Sequence, residues 1–275
     1  MSPAELRFGV VTDVHYADRP AAGDRYYRDS LAKLQQCVSA FNEEGAAFAV
    51  QLGDFVDGAG SEQLQTEYLR RIQQVFGGFA GRRFFVLGNH DVVELTKDQF
   101  IGACGGGFAG WYYSFDFAGW HFVALDANFK ADGSEYSRGD FDWTDAWVCG
   151  PQQRWLAEDL AAARGKNSIV FIHHNLDHRL SGGAPDPHIV RNAHEVRAIL
   201  EKAGNVRAAI QGHDHRGFYQ QINGIHYLTL KAMVTGPAAG NNAFAVVTCR
   251  IDGAIAVRGF GNQTSQLLCK QPSGV

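Results

Sequence analysis

Short apolar runs alternate with longer stretches of helical spacing along the first two thirds of the chain, and each run stops at a polar cluster. Leu6 to Thr12 reads as a β-strand that delivers Asp13 and His15. Residues two apart on an extended segment face one side, so that pair points the same way. Residues 24–44 set Leu31, Leu34, Val38 and Phe41 on one stripe and stop at Gly45, which predicts a helix. Ala46 to Leu52 is a buried strand running into Gly53-Asp54-Phe55-Val56-Asp57-Gly58. A helix over 61–76 follows, then a strand from Arg83 to Leu87 that ends in Gly88-Asn89-His90-Asp91. This βαβαβ rhythm predicts an α/β protein.

Residues 102–110 form a glycine-rich connection. Tyr112 to Phe117 and Trp120 to Asp126 then read as a hairpin turning at Ala118-Gly119. Residues 127–150 are polar, aromatic and without period, the mark of a binding element or lid. Pro151 suits the first turn of a helix through Ala163. The strand Ser168 to Ile172 ends in His173-His174, and 175–191 is a second irregular insertion on the same edge. A helix over 192–203 and a strand from Val206 to Ile210 lead to Gly212-His213-Asp214-His215. The pattern then becomes all-β, at 217–222, 225–230, 243–250 and 254–259, with turns at Asn223-Gly224 and Asp252-Gly253. No linker or internal repeat divides the chain, so residues 1–275 are expected to form a single domain.

Composition narrows the class. With 45% hydrophobic and 20% charged residues, the 275-residue chain can bury a large core. Its 29 acids and 25 bases give a net charge of −4, spread without blocks, which argues against a nucleic-acid or membrane surface. Five widely spaced cysteines without a CxxC pair argue against a disulfide framework or a thiolate zinc site. Residues 1–15 lack the pattern of a leader peptide, and no apolar stretch approaches the ~20 residues that span a bilayer. A cytoplasmic location is the expectation.

Asp54 and Asp57 stand at a strand end with no lysine or arginine nearby in sequence, an arrangement costly for carboxylates unless something positive sits opposite. Taken alone, GDFVDG could be a solvated turn. Four other strand ends also carry metal-binding groups, and strand ends of an open α/β sheet converge on one crevice. Seven donors result: Asp13, His15, Asp54, Asn89, His173, His213 and His215. Oxygen and imidazole donors without thiolate suit manganese, iron or zinc. Lone histidines such as His121 and His226 read as structural.

The order D-x-H, GDxxDG, GNHD, HH, GHxH over residues 6–216 resembles the calcineurin-like metallophosphoesterases. The resemblance, with the βαβ rhythm and the late all-β section, implies a four-layer αββα sandwich of two mixed sheets flanked by helices. It also implies two divalent ions, with Asp54 bridging them. Asp13, His15 and His215 would hold one, and Asn89, His173 and His213 the other. His90 would act beside the substrate as a catalytic group and Asp57 would orient it. His174 also stands beside the strand end, but His173 follows the strand directly and is the preferred ligand. The purple acid phosphatase branch has tyrosine three residues after the bridging aspartate, where this chain has Asp57.

Two further stretches, Arg25-Tyr26-Tyr27-Arg28-Asp29-Ser30-Leu31 and Gly224-Ile225-His226-Tyr227-Leu228-Thr229-Leu230, resemble the manganese-dependent ADP-ribose/CDP-alcohol diphosphatases, extending the likeness to about residue 262. Lys231 departs from that subgroup, which has an acidic residue there. The implied substrate is a small nucleotide-type molecule. Tyr16, Arg25, Tyr27 and Arg28 are candidate contacts, with Tyr26, Trp143 and Trp147 as further aromatic faces that could equally be packing. A cyclic-nucleotide or general phosphodiesterase on the same site is the alternative. A non-catalytic interaction protein would be expected to have lost ligands, and all seven are present.

Overall fold

The computed structural model describes residues 5–105, 110–140, 142–250 and 252–268. The first four residues, 106–109 of the glycine-rich connection, Phe141 of the first insertion and Cys269 lie outside them. Strands β1 (Leu6–Val11), β2 (Phe48–Gln51) and β3 (Arg82–Phe85) alternate with helices α1 (Ser30–Glu43) and α2 (Glu62–Phe76). They are parallel neighbours, the expected βαβαβ unit. A short α3 (Lys97–Ala103) precedes the hairpin of β4 (Tyr113–Phe117) and β5 (Trp120–Leu125). The hairpin turns through Ala118 and Gly119, both at positive φ as a tight turn requires. Helix α4 (Gly150–Ala162), β6 (Asn167–Ile172), a small hairpin of β7 (Leu180–Ser181) and β8 (Ala184–Pro185), α5 (Ala193–Ala203) and β9 (Val206–Gln211) follow. The described residues close with β10 (Phe218–Ile222), β11 (Ile225–Thr229), β12 (Ala243–Cys249), β13 (Ile255–Gly261) and β14 (Gln266–Leu268).

Two mixed six-stranded sheets result, in the orders β14-β13-β12-β1-β2-β3 and β10-β11-β9-β6-β5-β4. Alternation along each strand explains how they pack. Leu6, Phe8 and Val10 of β1 enter one core with Trp120, Phe122 and Ala124 of β5 and Ile169 and Phe171 of β6, which lies between the sheets. The opposite face of β1 meets α1: a Cβ at Gly9 would stand 2.5 Å from the Phe41 ring. Val123, Leu125, Val170 and Ile172 face α4 and α5 in a third cluster. The layers are therefore helix, sheet, sheet, helix, as the sequence implies.

The departures are local. The first helix starts at Ser30, not near residue 24, because Arg25 pairs with Thr235 and the Tyr26 N–H donates to the Val234 carbonyl at 3.0 Å. Those bonds pull 22–29 toward the strand ends. Helix α3 escaped the periodicity reading, although Thr96 and Gln99 form a reciprocal capping box that the sequence displays. The second insertion contains the β7–β8 hairpin, and β14 adds an edge strand after the last expected one.

Candidate metal centre and active site

Strands β1, β2, β3, β6 and β9 all end on one edge, and main-chain bonds tie the loops that follow. Asp13 N–H donates to Gly53 O at 3.1 Å, His15 N–H to Asp54 O at 2.9 Å and Gly212 N–H to His173 O at 3.0 Å. Four residues of these loops, Asp13, His15, Asp54 and His213, lie in the left-handed region, with φ of 50°, 45°, 53° and 71°. That conformation costs an L-residue roughly 1–2 kcal/mol, so it persists only where the surroundings impose it.

The loops bring six of the seven expected donors into tight groups. Asp13, His15 and His215 offer ligand atoms within 4.8 Å of one another, as do Asp54, His173 and His213. One oxygen joins the two groups: Asp54 Oδ2 lies 3.4 Å from His15 Nε2 and 3.2 Å from His173 Nε2. The first group is drawn so close that His15 Nε2 and His215 Nε2 are 3.1 Å apart. His173 Nδ1 faces the Leu52 carbonyl at 2.8 Å, which leaves Nε2 toward the aspartates. His174 is buried beside it but enters neither group. The seventh donor, Asn89, lines the same crevice.

Close approach explains two of the glycines that flank the motifs. A Cβ at Gly88 would fall 2.1 Å from the Asp54 nitrogen and 2.2 Å from Asp54 Oδ1, and one at Gly212 would fall 2.0 Å from Thr12 Oγ1. Asp91, read in sequence only as the tail of GNHD, anchors this region. Its carboxylate accepts the N–H groups of Asp54 (2.9 Å), Phe55 (2.8 Å), Val56 (3.2 Å) and Gly88 (3.0 Å). Gly88→Ala is therefore expected to lower stability by about 1–3 kcal/mol, the usual range for overpacking, and to displace Asp54. Denaturant unfolding and bound-metal analysis check this; an unchanged midpoint with full metal content would contradict it.

Asp57 is not left uncompensated. The arginines that are distant from it in sequence reach it in space: Arg19 Nη2 at 3.2 Å and Arg25 Nη1 at 3.6 Å. The same carboxylate faces His90 Nδ1 at 3.0 Å and His15 Nδ1 at 3.3 Å. Arg19 also donates to the Gly58 carbonyl at 3.3 Å and stacks over the Tyr27 ring at 4.0 Å. Sequence reasoning missed it, because it lies outside every motif, four positions past His15. The His90 main-chain N–H donates to Asp54 Oδ1 at 2.8 Å, and its ring nitrogen forms a third close group with His15 and Asp54.

Charge in this buried crevice is finely opposed. Burial pushes the Asp13, Asp54 and Asp57 carboxyls up, but the surrounding imidazoles outweigh it and hold all three well below the usual carboxylate range. Burial depresses His15 and His173, yet Asp54 and the other aspartates carry both up to about 9. His174 falls to about 3 and His213 drops well below the usual histidine value, through burial and then neighbouring imidazoles. The field around the aspartates thus favours cations strongly.

Of the four candidate substrate contacts, only Arg25 lines the cavity of about 300 Å³ above these donors. Tyr16 is buried against Tyr68, ring centroids 5.6 Å apart. Tyr27 is buried under Arg19, and Arg28 pairs with Asp18 at 2.8 Å. Neither tyrosine offers an open face, and these three do not line the cavity. Trp143 does, 40% exposed. Its carbonyl lies 3.2 Å from His213 Nε2. Trp147 instead serves the first insertion, its indole N–H donating to Asp145 at 2.9 Å. His188, which no motif marked, completes the wall from the second insertion.

The donors fit a metal centre on a physical criterion. Asp13 Oδ1, Asn89 Oδ1 and His173 Nε2 are buried and have no hydrogen-bond partner among the described residues. Such atoms cost about 1–3 kcal/mol each unless something meets them. Two cations would meet all three.

Comparison with known proteins agrees with this geometry. The model of the calcineurin-like phosphoesterase family matches residues 6–217. A manganese-dependent ADP-ribose/CDP-alcohol diphosphatase of Oryza sativa is 27% identical, over 96% of this chain and 94% of its own. One of Arabidopsis thaliana is 26% identical, over 84% and 86%. Among solved structures, a dimetal phosphatase from Danio rerio shares the fold, with a TM-score of 0.84 at 21% identity, covering 98% of this chain and all of that one. With its motif residues gathered at one sheet edge and the family model spanning most of its length, this chain belongs to the calcineurin-like phosphoesterases.

Proposed function

We propose that the chain is a dinuclear-metal hydrolase of nucleoside-diphosphate-linked substrates of the ADP-ribose or CDP-alcohol type, with manganese as the preferred ion. The observation that carries this is the placement of Asp54 Oδ2 between two three-donor groups. Asp13, His15 and His215 would hold one ion and Asn89, His173 and His213 the other, with Asp54 shared. Bound there, two divalent ions supply the positive charge that an anionic phosphate needs and a water acidic enough to ionise near neutral pH. Imidazole-rich donors favour manganese over magnesium, which prefers oxygen ligands.

The chain's own groups do the rest. His90 holds a proton at the cavity wall for the departing oxygen, and Asp57 fixes its ring through Nδ1. Arg25 presents a guanidinium for a phosphate oxygen beyond the donor groups. Trp143 offers a face on which a nucleobase could stack. The four described cysteines are buried and unpaired, consistent with a reducing, cytoplasmic setting. Among the described residues no helix is long and apolar enough to cross a membrane.

A panel of ADP-ribose, CDP-choline, 2′,3′-cyclic AMP, 3′,5′-cyclic AMP and p-nitrophenyl phosphate with Mn²⁺ tests the substrate class. The highest kcat/KM is expected on one of the two diphosphates, with 2′,3′-cyclic AMP as a weaker activity. A lead of tenfold or more for the monoester or for 3′,5′-cyclic AMP would leave a two-metal phosphoesterase but remove the diphosphatase assignment.

A further inference from the structure

The second insertion sets an imidazole on the cavity wall that neither the ligand set nor His90 accounts for. His188 follows the β7–β8 hairpin, and its Nδ1 lies 2.6 Å from Asp186 Oδ1. The same oxygen accepts the His188 main-chain N–H at 3.0 Å. Asp186 is buried at 7% exposure, with Arg216 Nη2 3.8 Å from its other oxygen. The His188 ring packs 5.0 Å from the Trp143 ring and 5.2 Å from the His213 ring, and its side chain stays 22% exposed. The cavity is thus flanked by two histidines each backed by a buried aspartate: His90 by Asp57 and His188 by Asp186. A carboxylate behind an imidazole fixes the ring's orientation and leaves the far nitrogen to the ligand.

We propose that His188 is a specificity-determining residue that binds the second phosphate of a nucleoside-diphosphate-linked substrate, the one outside the donor groups. The inference rests on the diphosphatase reading above. A diphosphate carries two anionic phosphates, and on the diphosphatase reading ions held at the Asp54 groups would neutralise one of them. The other must find donors on the cavity walls, or its lost hydration goes uncompensated. Arg25 is one cation there, but Asp57 already stands 3.6 Å from it. His188 sits on the wall shared with Trp143 and His213, and its Nδ1 is committed to Asp186, so Nε2 is the polar atom left to face a ligand. A simple phosphodiester has no second phosphate and takes nothing from this contact.

The test compares wild type, His188→Ala and His188→Gln on ADP-ribose, CDP-choline and bis(p-nitrophenyl) phosphate, with metal content and thermal midpoint measured for each. A lost hydrogen bond to a charged group corresponds to about tenfold to hundredfold. His188→Ala should therefore lower kcat/KM on the diphosphates about tenfold to hundredfold more than on the diester, largely through KM. His188→Gln, which keeps a donor, should recover part of that ratio, and all three proteins should bind the same amount of metal. Equal losses on all substrates would overturn the assignment, since a residue that only buttresses Trp143 or His213 affects every substrate alike. Loss of metal in His188→Ala would overturn it too. Wild-type enzyme that cleaves the diester but neither diphosphate would remove the diphosphatase reading and this inference together, an outcome distinct from either of the others.

Discussion

Asp54→Ala is expected to bring hydrolysis of every phosphate ester down to background and to strip the protein of both ions. Its Oδ2 is the atom that both donor groups share, and its Oδ1 holds the His90 main-chain N–H at 2.8 Å. Removing the carboxylate takes away the nearer anion that His15 and His173 share, leaving only Asp13 Oδ1, 3.7 Å from one ring and 4.0 Å from the other. His215→Ala should behave differently, because it belongs to one group only and should weaken one ion while sparing the other. Metal analysis on chelator-treated and Mn²⁺-reconstituted protein, beside activity, separates the cases. Chelator should abolish activity in wild type, and Mn²⁺ should restore it better than Mg²⁺. Full turnover by Asp54→Ala in the presence of EDTA would end the two-metal interpretation.

His90→Ala should keep both ions and lower kcat by ~10²–10⁴, the range for a lost acid–base group. That would be a sharp division of labour between neighbours, with Asn89 the proposed donor and His90 the proposed proton carrier. The structure makes the experiment more discriminating, because His90 stands close enough to His15 and Asp54 to form a third donor group. If His90→Ala lost an ion and kept its kcat at saturating Mn²⁺, His90 would be a ligand and the roles would have to be exchanged. Asp57→Asn should lower kcat less. It should also loosen the Asp13 group, because Asp57 lies 3.3 Å from His15 Nδ1 as well as 3.0 Å from His90.

What the sequence makes legible here is whatever is carried by local spacing. Apolar runs announce β1, β2, β3, β6 and β9, and the polar group after each is covalently fixed to the strand end that carries it. The location of the donors follows from that, whereas the αββα layering is implied only once the βαβ rhythm and the late all-β section are joined to the family resemblance. What stays hidden depends on contacts between distant segments. Arg25 reaches Asp57 from a segment, 22–29, that is drawn to the loop after β11, a pairing that spans more than 200 positions. Tyr16 and Tyr27 look like stacking platforms beside an aspartate motif, but the core and Arg19 cover them. His188 lies in an insertion with no period to read, and only the fold carries it to His213. Asp91 was in view throughout. Its four main-chain N–H partners come from two loops, so its anchoring role emerges only once β2 and β3 are side by side.

The left-handed backbone at Asp13, His15, Asp54 and His213 has an evolutionary corollary. At each of these positions glycine would adopt the same φ without penalty, so function and fold pull in opposite directions. In a lineage freed from selection for hydrolysis, drift to glycine would gain back that strain energy, less the His90 and His213 N–H bonds that Asp54 and Asp13 accept, and Asp54→Gly should outlast Asp54→Ala in denaturant although both are inactive. Every generation that retains a carboxylate or an imidazole at those four sites forgoes that gain.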